Sequence, residues 1–473
     1  MTQQHLASGK APAAPGRGVQ PHSGNEAERR ASDAHDLTAL VTAAFEAWRR
    51  AGVEFLILRN YEKLPRETGN DIDVLVRSEQ LAQAEAVLVS AGAQIGYVLH
   101  NRAEFSPVSL FFFHPESCQQ IQFDLFHCLN WRGFMLLKPE VVLVQRRQVG
   151  LFAIPQPTHE AVLNLVTRLI YHGRVREKYK FGIATVFRQD PATAVAVLAE
   201  LFGQPLAQVV TQFAQSEAWA GIEKLARAMR RQLVFRRLTR QPIRTVVSLL
   251  RDAKRLAGRL WKPPGMTVVL LGADGCGKSS VAAGLMASLR PTFNPGKGLH
   301  GHWKPMVLPL RRRAERKPTT DPHAQPPRGR VASILVLVAH WLEYLVGESI
   351  HFRPVLFRNG LVLMDRYHYD FAVDPRRYRL QVSPGLVQAL FRWLPSPDLV
   401  LVLDAPTEVL RARKQEVSEP ETRRQREAYR ALAEQLPNAK IVNCAQPLEA
   451  VVREATGYVL QYLAARQARC RKR

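Results

Sequence analysis

The chain has 473 residues, 66 Lys+Arg against 41 Asp+Glu for a formal charge of +25, and 46% apolar residues. That length exceeds one ordinary core and predicts two or three domains, while the apolar fraction excludes a largely disordered chain. The charge points to an anionic partner without choosing among nucleotide phosphates, phosphorylated sugars, acidic lipid and nucleic acid; the five scattered cysteines suggest neither a disulfide framework nor a metal cage and fit a reducing cytoplasm.

Residues 1–36 are rich in Gly, Ala, Pro, Gln and Ser, lack an apolar h-region, and read as a disordered tail rather than a signal peptide. A first domain is expected over 37–150. It opens with a helix over 36–51, with Asp36 as candidate cap, and a strand over 54–59. The strand at 71–76 alternates Asp71 and Asp73 with apolar residues, so the period of two puts both carboxylates on one face. Side by side they repel and need a compensating cation, for which Mg²⁺ is usual, or solvent. Asp124 interrupts the apolar strand 119–126, where a third carboxylate would join them across a sheet.

On these residues the stretch 37–180 resembles the nucleotidyltransferase-like fold, an α+β architecture whose D-x-D strand and later Asp hold metal and triphosphate. The resemblance implies a metal set of Asp71, Asp73 and Asp124. The family's Gly-[Gly/Ser] step after the first strand is replaced by Arg59-Asn60. Without that glycine turn the backbone cannot approach a triphosphate closely. The alternative is a binding or structural domain in which Arg59, Lys63 and Arg66 receive an anionic ligand.

The middle, 151–262, reads as helical. Its segment 222–262 holds 13 Lys/Arg and two acidic residues between apolar positions. That pattern describes a peripheral membrane helix, a nucleic-acid contact, or a solvated face of a packed domain. The apolar run 331–346 stops short of a membrane span and predicts a buried helix.

From 263 to 473, apolar strands and helices alternate as a doubly wound parallel sheet requires. The run 267–271 leads into Gly272-Ala273-Asp274-Gly275-Cys276-Gly277-Lys278-Ser279 and then an Ala/Leu-rich helix over 280–289. This is the pattern G-x-x-x-x-G-K-[ST] in its strand–loop–helix setting. Its glycines let backbone N–H groups converge on phosphate oxygens at a helix N-terminus. Gly272, Asp274, Gly275, Gly277, Lys278, Ser279 and Ser280 are therefore the expected nucleotide contacts, with ATP as donor and Mg²⁺ on Ser279. The strands 361–365 and 398–404 each end in a carboxylate, Asp365 and Asp404, where ligands bind in such sheets.

The acidic third loop position (Asp274), the triplet Asp365-Arg366-Tyr367 and the Pro397-Asp398 strand resemble the thymidylate kinase family of P-loop kinases. The resemblance implies that Asp274 contacts an acceptor hydroxyl, that Asp365 orients the acceptor or metal, that Arg366 binds phosphate, and that residues 411–426, with Arg413, form a lid. Glu416, Glu419, Glu421 and Glu427 among those arginines also permit a plain salt-bridged helix. The family's Arg-Glu-Pro-Gly acceptor segment is replaced by Gly301-His302-Trp303-Lys304-Pro305, which implies a different acceptor. Lys304, Arg366, Tyr367, Arg376 and Arg377 are the expected acceptor contacts. Residues 466–473 read as a frayed basic tail.

The expectation is a cytoplasmic, ATP- and Mg²⁺-dependent kinase, with catalytic Lys278, Asp365, Arg366 and Arg413. It would phosphorylate a nucleoside monophosphate, or a sugar or sugar phosphate in polysaccharide assembly. The alternatives are a nucleic-acid-binding NTPase or polynucleotide-end kinase, and a catalytically silent nucleotide-binding regulator at the membrane surface.

Overall fold

The computed structural model describes residues 23–69, 71–105, 107–293, 298–302 and 326–471. Helix α1 spans Ser23–Arg50, so it begins inside the stretch that composition assigns to a tail. Residues 23–35 are rich in Ala, Glu and Arg, which favour helix over coil. There follow β1 (Phe55–Ile57), β2 (Asp71–Val76), α2 (Leu81–Gln94), β3 (Val98–Glu104), β4 (Val108–Phe113) and β5 (Gln120–Phe126). The strands form one sheet in the order β1-β2-β5-β4-β3, in which β2 and β5 run parallel and the other neighbours antiparallel. Alternation along the strands divides the side chains between two faces. Ile72, Val74, Ile121 and Phe123 enter the core under α1 and α2, with Leu40 and Trp48.

Leu56 and Leu75 point to the other face and belong to a second core. That core is closed by the hairpin β6 (Leu129–Trp131) and β7 (Phe134–Leu137), by α3 (Pro139–Val144), and, after the hairpin β8 (Arg147–Val149) and β9 (Phe152–Ile154), by the helices of the middle. These are α4 (Pro157–His172), α5 (Glu177–Gln189), α6 (Pro191–Phe202), α7 (Gln204–Gln215) and α8 (Trp219–Arg240). The middle helices thus continue the first domain's packing. The last of them, α9 (Pro242–Trp261), stands apart, with Thr245 its one buried residue.

The second sheet is built from β10 (Met266–Leu271), β11 (Leu299–His302), β12 (Leu361–Asp365), β13 (Leu399–Asp404) and β14 (Ala439–Asn443). Its order is β11-β12-β10-β13-β14, with every neighbouring pair parallel. Val268, Leu270, Leu363 and Leu401 pack beneath α10 (Lys278–Ser288) and α17 (Leu448–Arg471). Val269, Leu271, Val362 and Val400 face the opposite layer. That layer holds α11 (Arg330–Gly347), α12 (Arg353–Phe357), α13 (Asp370–Val373), α14 (Pro384–Phe391) and, after α15 (Thr407–Arg413), α16 (Glu419–Gln435). Helices on both faces of a parallel sheet make this half doubly wound α/β. Through a π-helical turn α11 and α12 join into one helix over Arg330–Phe357, by length and composition alone long and apolar enough to cross a membrane. Its inner side, with Leu337, Tyr344 and Phe352, packs in the core. Up to residue 471 the basic C-terminal segment is helical and not frayed, since α17 continues to Arg471 and Arg466 donates to the carbonyls of Pro264 and Gly265.

Candidate active site

All five strands of the second sheet point their C-terminal ends the same way, which gathers the loop after β10, Asp365 and Asp404 at one rim. The loop is held open by three glycines with positive φ, Gly272, Gly275 and Gly277. A Cβ on Gly272 would lie 2.5 Å from the Leu403 carbonyl oxygen, and one on Gly275 2.5 Å from that of Leu410. Neither position tolerates a side chain. Lys278 opens α10 with its side chain folded back into the loop, donating to the carbonyls of Gly272 (2.9 Å) and Ala273 (3.1 Å). Its ammonium group is buried among loop oxygens, where an anion entering the loop would meet it. Ser279 Oγ donates to Asp365 Oδ2 at 3.2 Å, so a hydroxyl and a buried carboxylate meet across the ends of β10 and β12. Two oxygen donors of this kind fit a hard cation such as Mg²⁺.

Asp274 is the hub of a second network. Its carboxylate accepts from Arg366 on one oxygen and from Arg377 Nη1 on the other at 2.8 Å. Burial would raise this carboxyl; the charges of Arg366, Lys278 and Arg377 override it and hold it well below the usual carboxylate range. Arg366 sits at φ 75°, in the left-handed region that residues with a Cβ resist, and so turns its guanidinium back towards Asp274 and Asp370 (3.3 Å). Asp370 also accepts from Tyr429 (2.9 Å) and Tyr378 (3.4 Å), while Asp374 accepts from Gln425 (3.0 Å). α16 is therefore tied to the segment after β12 by buried polar bonds. Arg377 Nη2 reaches Glu416 (3.2 Å), in the connection between α15 and α16.

Several expected residues are elsewhere. Tyr367, expected to face an acceptor, is buried edge-on against Tyr344 with ring centroids 4.9 Å apart. The left-handed turn at Arg366 sends the next side chain inward, and burial drives its phenol pKa far up. Arg413 lies outside the Asp274 network and donates to the Cys444 carbonyl at 2.9 Å. In α16, Arg423 and Arg424 pair within the helix with Glu419 and Glu421, and Arg426 and Arg430 grip Asp404. The 411–426 stretch has the salt-bridged form weighed against a lid. Arg376 is exposed, and Ser280 is exposed beside Ser279 in the first turn of α10. Trp303 and Lys304 lie outside the described residues; His302 ends β11, its backbone in register with Asp365. The partners of Asp274 were not legible in sequence, because 92 and 103 residues separate it from Arg366 and Arg377.

In the first sheet, Asp71, Asp73 and Asp124 bring carboxylate oxygens within 4.8 Å of one another, on the face towards the middle helices. Asp73 and Asp124 are register partners on the parallel strands β2 and β5. Arg59 grips both oxygens of Asp73, at 2.5 and 2.8 Å. Ser109 and Gln122 donate to Asp124. The cation that the Asp pair requires is thus Arg59, the residue standing in the glycine turn's place, and a metal on Asp73 would have to displace its guanidinium. Burial, with the charges of Asp73 and Asp71, pushes the Asp124 carboxyl up to about 6, and burial also raises Asp71. Beside the cluster lies a cleft of about 440 Å³ whose lining includes Arg59, Asn60, Glu160, Lys178 and Tyr179. Lys63 instead pairs with Glu67.

No protein-family model and no curated protein matches this chain. Among solved structures it is weakly similar to thymidylate kinase from Ehrlichia chaffeensis, at 14% identity and a TM-score of 0.30, covering 41% of this chain and 100% of that one.

Proposed function

We propose that the chain is an ATP- and Mg²⁺-dependent phosphotransferase acting on a nucleoside monophosphate, or on a sugar or sugar phosphate in polysaccharide assembly. The observation that carries this reading is the arrangement at the ends of β10 and β12. A loop whose glycines at 272 and 275 admit no side chain encloses the Lys278 ammonium, and Ser279 meets Asp365 beside it. In the proposed reaction Lys278 exchanges its carbonyl partners for β/γ-phosphate oxygens, and the loop N–H groups take the remaining phosphate charge. Ser279 and Asp365 would hold Mg²⁺, which supplies further charge neutralisation on the phosphates. Asp274 keeps Arg366 and Arg377 at the rim, where they grip an anionic acceptor and orient it towards the transferred group.

The first domain is proposed to be nucleotidyltransferase-like in form and to bind an anionic ligand rather than transfer one. The support is the Arg59 guanidinium on Asp73, in place of a metal, with Arg59 and Lys178 lining the cleft beside it. Arg59→Ala should then weaken anion binding; if it instead uncovers Mg²⁺-dependent transfer, that reading fails.

The kinase reading is tested by screening monophosphates and sugars for acceptor-dependent ADP formation. Lys278→Ala should cut turnover by about 10²-fold or more. Turnover that survives this substitution would contradict the proposal.

A further inference from the structure

The segment between the two sheets carries an inverted helix. α9 turns its polar side to the protein. Thr245 Oγ1 donates to the Arg237 carbonyl at 3.0 Å, Arg255 donates to the Glu104 carbonyl at 3.2 Å and pairs with Asp252, and the Arg259 guanidinium lies between the rings of Phe105 (4.7 Å) and Phe357 (4.5 Å). The apolar side faces out. Ile243 is 79%, Leu250 65% and Trp261 85% exposed, with Val246, Val247 and Leu260 between them. At 100° per residue these six side chains form one stripe along the helix. A helix that packs onto its own protein does the opposite. Arg244, Arg251 and Lys262 are exposed along the edge of the stripe, Lys254 is exposed within it, and the one acid of α9, Asp252, is paired with Arg255.

We propose that α9 docks this protein on an anionic bilayer surface, with its apolar stripe in the headgroup and acyl boundary. An apolar face flanked by unopposed lysines and arginines, with a tryptophan at one end, has the composition of an interfacial helix. The charge decides between this occupant and a second copy of the chain. Pairing two such faces would bring together two chains of +25 each along their basic flanks. Acidic lipid meets apolar stripe and basic flank at once. The proposal is independent of the kinase reading, since no residue of α9 belongs to the loop after β10.

The full chain should float with vesicles containing about 30 mol% phosphatidylserine and bind pure phosphatidylcholine vesicles at least about tenfold more weakly. About 0.5 M salt should weaken the anionic binding by a similar factor. Leu250→Glu and Trp261→Glu should each reduce flotation about tenfold without shifting the melting temperature, because both side chains are exposed. Phe181→Glu, on the exposed side of α5, should leave flotation unchanged. Absence of flotation, or flotation that Leu250→Glu and Trp261→Glu leave intact, would overturn the proposal. So would light scattering that finds a dimer split by Leu250→Glu, which would make a second copy the occupant.

Discussion

Charge at single residues organises both carboxylate sites, and in opposite ways. Asp274 is largely buried yet held ionised by two arginines, whereas Asp124 is buried among other carboxylates and resists ionisation. In the unfolded chain Asp124 would titrate near 3.8, in the folded one near 6, so the folded state binds the extra proton between those values. Stability from this group is full below pH 3.8 and is lost as pH rises through about 6. Asp124→Asn should therefore stabilise the protein at pH 8 by about 1–3 kcal/mol and do little at pH 4. Thermal melts of both proteins across that range check this; a difference independent of pH would contradict it. The comparison must be with the variant because His100, pushed down to about 3 by burial, opposes the trend: its neutral form favours the folded state as pH rises towards 6.5. Asp274→Asn removes the negative charge that anchors Arg366 and Arg377. Steady-state kinetics should show the acceptor KM raised about tenfold or more with the KM for ATP little changed; an equal rise in both would place Asp274 in donor binding.

At the scale of elements, the loop after β10 depends on conformations that only glycine adopts easily. Gly275→Ala would add strain at φ 88° and a collision with the Leu410 carbonyl. It should cost about 1–3 kcal/mol in stability and abolish nucleotide binding, by melting and by equilibrium titration. A loop that keeps its affinity with alanine there would not be the phosphate cradle described. Gly284 lets α10 approach α17, since a Cβ there would collide with Val452 Cγ2. Much of this level was legible in the sequence. The apolar run before Gly272, the strands ending in Asp365 and Asp404, and the D-x-D alternation on β2 announce themselves by period and punctuation. What the sequence concealed is partnership across distance. Arg59 supplying the charge expected of a metal, Tyr367 turned into the core by the left-handed Arg366, and α16 arginines spent on Asp404 all depend on which segments the tertiary fold brings together. α9 was readable as basic and amphipathic, but which side faced out was not.

Across the whole molecule, the two sheets are joined by a buried polar seam. Thr292, beyond the end of α10, donates to Gln120 and accepts from His100 Nε2 at 2.8 Å, while its carbonyl accepts from Asn359 at 3.0 Å. Asn359 in turn accepts from Asn101 at 3.3 Å, and Phe113 of β4 enters the core beneath α10 and α17. Since the Thr292 hydroxyl gives its proton to Gln120, His100 carries its own on Nε2. Thr292→Val would leave the buried His100 Nε2 without a bond and the half-buried Gln120 Oε1 without its donor, and should cost about 1–3 kcal/mol. Calorimetry should show the melt lowered, with the two halves unfolding less cooperatively; an unchanged transition would mean that the seam contributes nothing to stability.

The proposed binding of ATP by the loop from Gly272 to Ser279, for transfer to an acceptor, is checked by ADP formation in the full chain against a panel of monophosphates and sugars, with and without Lys278→Ala. At least one acceptor should raise ADP formation, and Lys278→Ala should remove that increase. ADP formation indifferent to every acceptor, or to the loss of Lys278, would contradict the proposal.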